Sequence, residues 1–223
     1  MTVRPSASES GIHRPLTGLP RRFYRRDPHL VAPDLLNKLL VAGDRSGRIV
    51  EVEAYGGADD PASHAYRGST PRNATMFGPP GRLYVYLSYG IHWCANAVCG
   101  EEGEAGAVLV RALAPVDGLE EMRAARPAAR RDRDLCSGPG KLCAALGLSR
   151  QHDGADLVSG EGGVVITDVG ADPPAEAARG VRVGVGAGAE ALWRWWVPDD
   201  PNVSRPGRVR VNGWAGRRDS PRS

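Results

Sequence analysis

Gly47-Arg48-Ile49-Val50-Glu51-Val52-Glu53-Ala54-Tyr55 alternates at a period of two, with Val50, Val52 and Ala54 on one side and Ile49, Glu51, Glu53 and Tyr55 on the other. That period predicts a strand with two carboxylates on one face. Upstream, Asp27-Pro28 reads as an N-cap followed by proline at the first helical position. Leu35, Leu36, Leu39 and Leu40 continue as a helical stripe, predicting a helix over about residues 28–41, unless Pro33 marks its true start. Downstream, Gly56 to Gly81 is dense in Gly, Pro, Asp, Ser and Asn, and is longer than the ~12 to 15 residues common for loops in compact domains. Such long loops usually carry function. Leu83 to Gly90 predicts a strand entering a turn and Ile91 to Cys99 its hairpin partner, with Tyr89-Gly90 at the tip. Ala107 to Leu113 is a further strand, followed by helical segments at Gly118–Arg126 and Gly138–Leu148. Short strands are expected at Gly163–Thr167, Val181–Gly186 and Trp193–Val197. Strands and helices do not alternate regularly, so the pattern predicts one mixed α/β domain on an antiparallel sheet.

The 223 residues allow one domain, or two small ones. At 41% hydrophobic and 25% charged, the chain has the balance of a soluble globular protein rather than a disordered one. Its longest apolar run, Ala107 to Ala114, contains Arg111 and is far short of the ~18 residues of a membrane helix. Met1 to Pro20 has no apolar stretch suited to a signal peptide, so a cytoplasmic protein is expected, with no membrane partner. Cys94, Cys99, Cys136 and Cys143 form no C-x-x-C pair and read as buried free thiols; no metal and no cofactor is expected.

Charge is uneven along the chain. Residues 1–30 carry six arginines against Glu9 and Asp27, and residues 198–223 carry six against three aspartates, whereas residues 151–197 are net acidic. Residues 1–19 read as a loosely ordered arm and 198–223 as a basic, Pro- and Arg-rich extension.

Five of the six tyrosines fall between Tyr55 and Tyr89, near Glu53 and His64. An ordinary aromatic core would favour phenylalanine, of which there are two, and each buried phenol requires a hydrogen-bond partner. Aromatics with polar rims suit flat polar ligands such as flipped nucleobases. Glu53 ends its strand where apolar sequence gives way to loop, a place for a carboxylate base in a partly dry pocket. Glu51 shares that face, and spacing does not choose between them; two exposed strand glutamates are the plain alternative. Arg111 interrupts an apolar strand, which is destabilising unless a carboxylate or a bound water pairs with it. A single loop histidine such as His64 reads by itself as a surface residue.

Arg48 to Tyr55, Thr70-Pro71-Arg72-Asn73, Leu83-Tyr84-Val85-Tyr86 with Tyr89-Gly90, Leu135-Cys136-Ser137-Gly138-Pro139 and Arg182-Val183-Gly184-Val185-Gly186 together resemble the alkyladenine (3-methyladenine) DNA glycosylase family in order and spacing. The resemblance covers residues 20–197, taken as the glycosylase domain. It implies a curved antiparallel sheet with surrounding helices and a protruding β-hairpin, and a monofunctional enzyme of base-excision repair.

Carried over position by position, Glu53 is the carboxylate that activates water, with Arg111 and the backbone carbonyl of Val183 holding that water. Tyr55, Tyr86 and His64 stack on the flipped base, Asn96 crowds the 2-amino group of guanine, and Tyr89 is the wedge that intercalates into DNA. Alkylated purines such as 3-methyladenine, and deaminated ones, are the implied substrates. Damaged double-stranded DNA is the implied partner, of a monomer acting at the nucleoid. Departures lie in Ala65-Tyr66-Arg67, with its extra tyrosine, and in Glu101, Glu102 and Glu104, which would repel phosphates and are expected away from the duplex. Two other readings are a lesion-binding protein without turnover and a hydrolase of free nucleosides or sugar polymers, the second resting only on the carboxylate and the aromatics.

Overall fold

The structure is a computed structural model that describes residues 17–186 and 188–204. The expectations for an N-terminal arm and for most of the basic C-terminal extension fall on residues 1–16 and 205–223, outside those described.

Strand β2 (Arg45–Tyr55) is the axis of an eight-stranded antiparallel sheet. One of its edges pairs along its length with β5 (Gly106–Asp117). The other edge is shared: β1 (Leu39–Ala42) takes residues 45–48, and β8 (Arg194–Trp196) takes 51–53. Beyond β5 come β4 (His92–Cys99) and β3 (Leu83–Ser88); β6 (Val164–Thr167) extends β1, and β7 (Ala178–Gly180) extends β8. The sheet curls, and it buries β2 on both faces. The alternation of its sequence therefore does not separate inside from outside.

Among the described residues, four α-helices lie around the sheet: α1 (Arg21–Tyr24), α2 (Pro28–Leu35), α3 (Leu119–Ala125) and α4 (Pro139–Leu146). Asp27 caps α2 through its carboxylate, which accepts the His29 amide at 2.7 Å. The predicted helix over 28–41 ends early, at Leu35. Asn37 adopts a left-handed φ of 65°, and Leu39 and Leu40 enter β1, pairing with Arg48 and Gly47 of β2. Leucines satisfy a helical stripe and a buried strand equally well, so their spacing misled. The strand expected at Val181–Gly186 is also absent. Pairing stops at Gly180, the Val183 amide is bonded to the Glu53 side chain instead of to a neighbouring strand, and Gly184 has a left-handed φ of 75°. The other strands and helices lie where the sequence places them, within a few residues at their ends.

One apolar cluster, drawn from α2, α4, β2, β4, β5 and β6, forms the main core; Cys99, Cys136 and Cys143 belong to it. All four cysteines are free and buried. Among the described residues, no helix is long and apolar enough to cross a membrane.

Candidate active site

Two irregularities in the β2–β5 pairing build the site. Between Ile49 and Glu51, β2 inserts Val50 against the adjacent Leu113 and Ala112 of β5; between Glu51 and Val52, β5 inserts Arg111 against the next step of β2. The paired bulges re-aim side chains without losing register overall. Arg111, a cation in an apolar strand that needs a carboxylate or a bound water beside it, meets two carboxylates: its Nε donates to Glu51 at 3.0 Å, and its Nη1 lies 3.3 Å from Glu53. Both glutamates are 0% exposed, which removes the reading of two solvated strand residues.

Glu53 accepts the Val183 amide on Oε1 at 2.7 Å and the Tyr55 hydroxyl on Oε2 at 2.9 Å. Burial drives its pKa above the ordinary carboxylate range, and the Arg111 charge, the Val183 amide and the Tyr55 hydroxyl only partly oppose that rise. The contact made by Val183 in the structure is thus through its N–H. Val183 reaches Glu53 because Arg182, beside it, is anchored: the guanidinium donates to the Ala54 carbonyl at 3.1 Å and pairs with both oxygens of Asp60. That guanidinium lies between the Tyr55 and Trp193 rings, 4.7 and 4.8 Å from their centroids. One face of Tyr55 is therefore backed by a buried cation, which fixes the ring.

Tyr55, Arg111 and Val183 line an open cleft of about 840 Å³, together with His64, Tyr84, Tyr86, Tyr89, Cys94 and Asn96. Tyr84 and Tyr86, on one face of β3, stack at 5.4 Å. His64 meets Tyr86 edge to face at 4.4 Å, and its Nδ1 is 3.1 Å from the Tyr84 hydroxyl. Burial and the Arg72 charge lower its pKa, so the imidazole is neutral near pH 7. Burial likewise pushes the Tyr84 phenol up to about 12. Asn96 is buried beside them and donates to the Tyr84 carbonyl at 3.1 Å. The loop bearing His64 is ordered by Asn73, whose amide donates to the carbonyls of His64 and Gly68 at 2.8 and 3.1 Å and whose oxygen accepts from Thr70. The Thr70–Asn73 segment thus orders the histidine's loop from behind.

At the cleft mouth the β3–β4 hairpin turns through Tyr89 (φ 49°) and Gly90 (φ 70°), with the Ile91 amide donating to the Ser88 carbonyl at 3.0 Å. Positive φ at an aromatic residue is strained. It leaves Tyr89 88% exposed at the tip.

Residues 22–201 match the family described as methylpurine-DNA glycosylase. The chain belongs to that family. It is a DNA glycosylase, a hydrolase of N-glycosyl bonds that takes DNA as substrate and serves DNA repair. Among its relatives, a protein of Burkholderia lata is 58% identical over 189 residues, covering 84% of this chain and 91% of its own length. One of Burkholderia cenocepacia is 58% identical over 198 residues, covering 88% and 96%. One of Streptomyces avermitilis is 47% identical over 194 residues, covering 84% and 91%. Each bears the name "Putative 3-methyladenine DNA glycosylase".

In this glycosylase seven of the eight residues singled out from sequence, Tyr55, His64, Tyr86, Tyr89, Asn96, Arg111 and Val183, line one cleft. Glu53 itself is closed off behind Tyr55, Arg111 and Val183. Glu101, Glu102 and Glu104 lie in the turn at the other end of β4 from the hairpin tip, about 24 Å away along the strand at its usual rise. Sequence reasoning missed Arg182, Asp60, Trp193, Arg194 and Ser204, which hold the cleft residues from outside. Asp60 and Arg182 are far apart in sequence, and no local pattern joins them.

Proposed function

We propose that this glycosylase hydrolyses the N-glycosidic bond of alkylated purines of the 3-methyladenine type, and of deaminated purines, after they flip out of duplex DNA. The observation that carries this reading is the ionisable Glu53, buried behind the cleft wall among three donors. As a base it takes a proton from water while its charge stabilises the cationic sugar of the transition state. Arg111 and the Val183 carbonyl are the anchors for that water.

An alkylated purine is already cationic and leaves as a neutral molecule, so one carboxylate suffices where ordinary glycoside hydrolysis uses two. The electron-rich faces of Tyr55 and Tyr86 favour that cation by roughly 0.5 to 2 kcal/mol per contact. Neutral deaminated purines gain less there, depend on hydrogen bonds at the base edge, and leave as anions that those bonds stabilise and that solvent water then protonates. In the neutral tautomer whose Nδ1 accepts from the Tyr84 hydroxyl, the imidazole proton sits on Nε2, a donor for that edge. His64 must leave its edge-to-face contact with Tyr86 for the two rings to hold a base between them, and Asn96 supplies the discrimination against guanine. We propose that it works at the nucleoid in the cytoplasm, where its DNA substrate lies, and as a monomer.

The test is release of free base from a panel of duplexes, each with one defined lesion. Release is expected from alkylated purines first, falling as salt is added because phosphate contacts release counterions. Tight binding to an abasic analogue with no release from any duplex would favour the lesion-binding reading, and equal activity on free nucleosides would favour the nucleoside hydrolase.

The exposed Tyr89 supports its role as the wedge that fills the space left by the flipped nucleotide and offsets an unstacking cost of about a few kcal/mol. Tyr89→Ser is expected to weaken duplex binding and duplex excision by about tenfold or more, the equivalent of 1.4 kcal/mol, while cleavage of single strands changes little. Equal losses on both substrates would remove the assignment.

A further inference from the structure

Glu51 is one residue type and two positions away from Glu53, yet its surroundings differ. Its Oε1 accepts from Arg111 Nε at 3.0 Å, Arg194 Nε at 2.7 Å and the Ser204 hydroxyl at 3.0 Å, and its Oε2 accepts the Ser204 amide at 2.7 Å. Arg111 Nη2 donates to the same hydroxyl at 3.5 Å, so each nitrogen of the Arg111 guanidinium has a place: Nε on Glu51, Nη2 on Ser204 and Nη1 toward Glu53. Arg194, over the Trp196 ring at 4.8 Å, is the second cation of the cluster. Two buried glutamates and two buried arginines thereby balance. The segment after β8 is fastened to β2 by Asp200, which pairs with Arg48 at 2.6 Å, and this brings Ser204 onto Glu51.

We propose that Glu51 is a positioning residue: with Ser204 and Arg194 it holds Arg111 by one edge, so that a single guanidinium nitrogen faces Glu53 and the arginine does not collapse onto the base. This rests on Glu53 being the base. An arginine with no other carboxylate would close fully on Glu53, cover its lone pairs and make it a weaker base. Glu51 supplies the competing anion, and the segment carrying Ser204 fixes that anion in turn. The strap that crosses Glu51 is thereby part of the catalytic geometry, although none of its described residues lines the cleft.

The groups facing Glu53 are Tyr55 and Glu51 on its own strand, Arg111 on β5, Tyr86 on β3, Cys94 on β4 and the Val183 amide. In Glu51→Gln the nearby negative charge is gone and Arg111 has one anion left beside it, so Glu53 must ionise at lower pH. Single-turnover base release by Glu51→Gln should fall about 10- to 100-fold at full reaction amplitude. The acid limb of its pH profile should move to lower pH, with affinity for an abasic-analogue duplex unchanged. Glu51→Asp keeps the charge one methylene short and should restore the acid limb but not the whole rate.

A carbon-13 NMR titration of the Glu53 carboxyl in the wild type and in Glu51→Gln reads the same shift without turnover. Loss of all base release by the wild type would then refute the proposed function while the titration still decides the role of Glu51. An unshifted titration with a wild-type rate constant overturns the proposal. So does a reduced amplitude with an unshifted limb, the mark of a purely structural role. If Glu51→Gln does not fold, Ser204→Ala keeps both glutamates and must slow release at full amplitude; a wild-type rate there overturns the proposal as well.

Discussion

Glu53→Gln is expected to lower base release from alkylated duplexes by about 10² to 10⁴-fold, the range that a positioned general base supplies. The substitution keeps the shape of the side chain and an oxygen to accept the Val183 amide, so the fold and the cleft should survive it. What it removes is the charge that takes the proton of water and faces the developing cation. Binding to a duplex with an abasic analogue should persist, which separates lost chemistry from lost recognition. The wild-type pH profile carries the same information. Only ionised Glu53 is a base, so activity rises with pH through its pKa, and burial has raised that pKa above the ordinary carboxylate range. The acid limb is therefore expected at a higher pH than a solvated glutamate would give, and it should vanish from whatever residual rate Glu53→Gln retains. Release by that variant at the wild-type rate, or a wild-type limb in the ordinary carboxylate range, would sink the assignment.

The sequence made the central strand, the hairpin and a tyrosine-rich pocket legible because each has a local signature, whereas His64, Asn96, Val183 and the choice of Glu53 over Glu51 came only from the family resemblance. Period-two alternation marks β2, Tyr89-Gly90 between two apolar runs marks the turn, and tyrosines where phenylalanines would serve mark a polar-rimmed pocket. What stayed hidden depends on contacts between distant segments. Glu51 and Glu53 are equivalent by spacing, and they differ only because β8 and Ser204 cover one while Val183 caps the other. The opposed bulges at Val50 and Arg111 have no composition of their own; each strand alone reads as regular. The leucines at 39 and 40 could extend a helix or fill a strand, and only the partners Arg48 and Gly47 decide. At Val181–Gly186 the β-branched valines suggested pairing, but Arg182 is claimed by Asp60, and the segment leaves the sheet to reach Glu53.

That Arg182–Asp60 pair carries the second large expectation: Asp60→Ala should cost about 3 to 5 kcal/mol, because it strands a buried cation instead of removing the pair. Neither side chain is more than 1% exposed. For a domain of this size, such a loss lowers Tm by roughly 2 to 4 °C per kcal/mol, or about 6 to 20 °C in all. Burial alone would raise the pKa of Asp60, but the Arg182 hydrogen bonds and the Ala62 and Gly56 amides outweigh it and hold the carboxyl below the ordinary aspartate range. The pair is therefore ionised at neutral pH, and the stability it contributes is lost only as pH falls through that lowered value. Asp60→Ala should accordingly lose Asp60's share of the acid dependence of the wild-type Tm as well as part of its height.

The consequence for chemistry follows from the stack. Without Asp60 the Arg182 guanidinium is no longer held between Tyr55 and Trp193, so the ring meant to receive the base loses its backing and the Val183 amide loses its anchor. Excision should fall even at temperatures where the variant is fully folded. Asp60→Asn, which keeps one oxygen for Arg182 but not the charge, should lie between the two proteins on both measurements. A change in Tm too small to resolve by calorimetry would show that the cation is compensated elsewhere and that Tyr55 is fixed by packing alone.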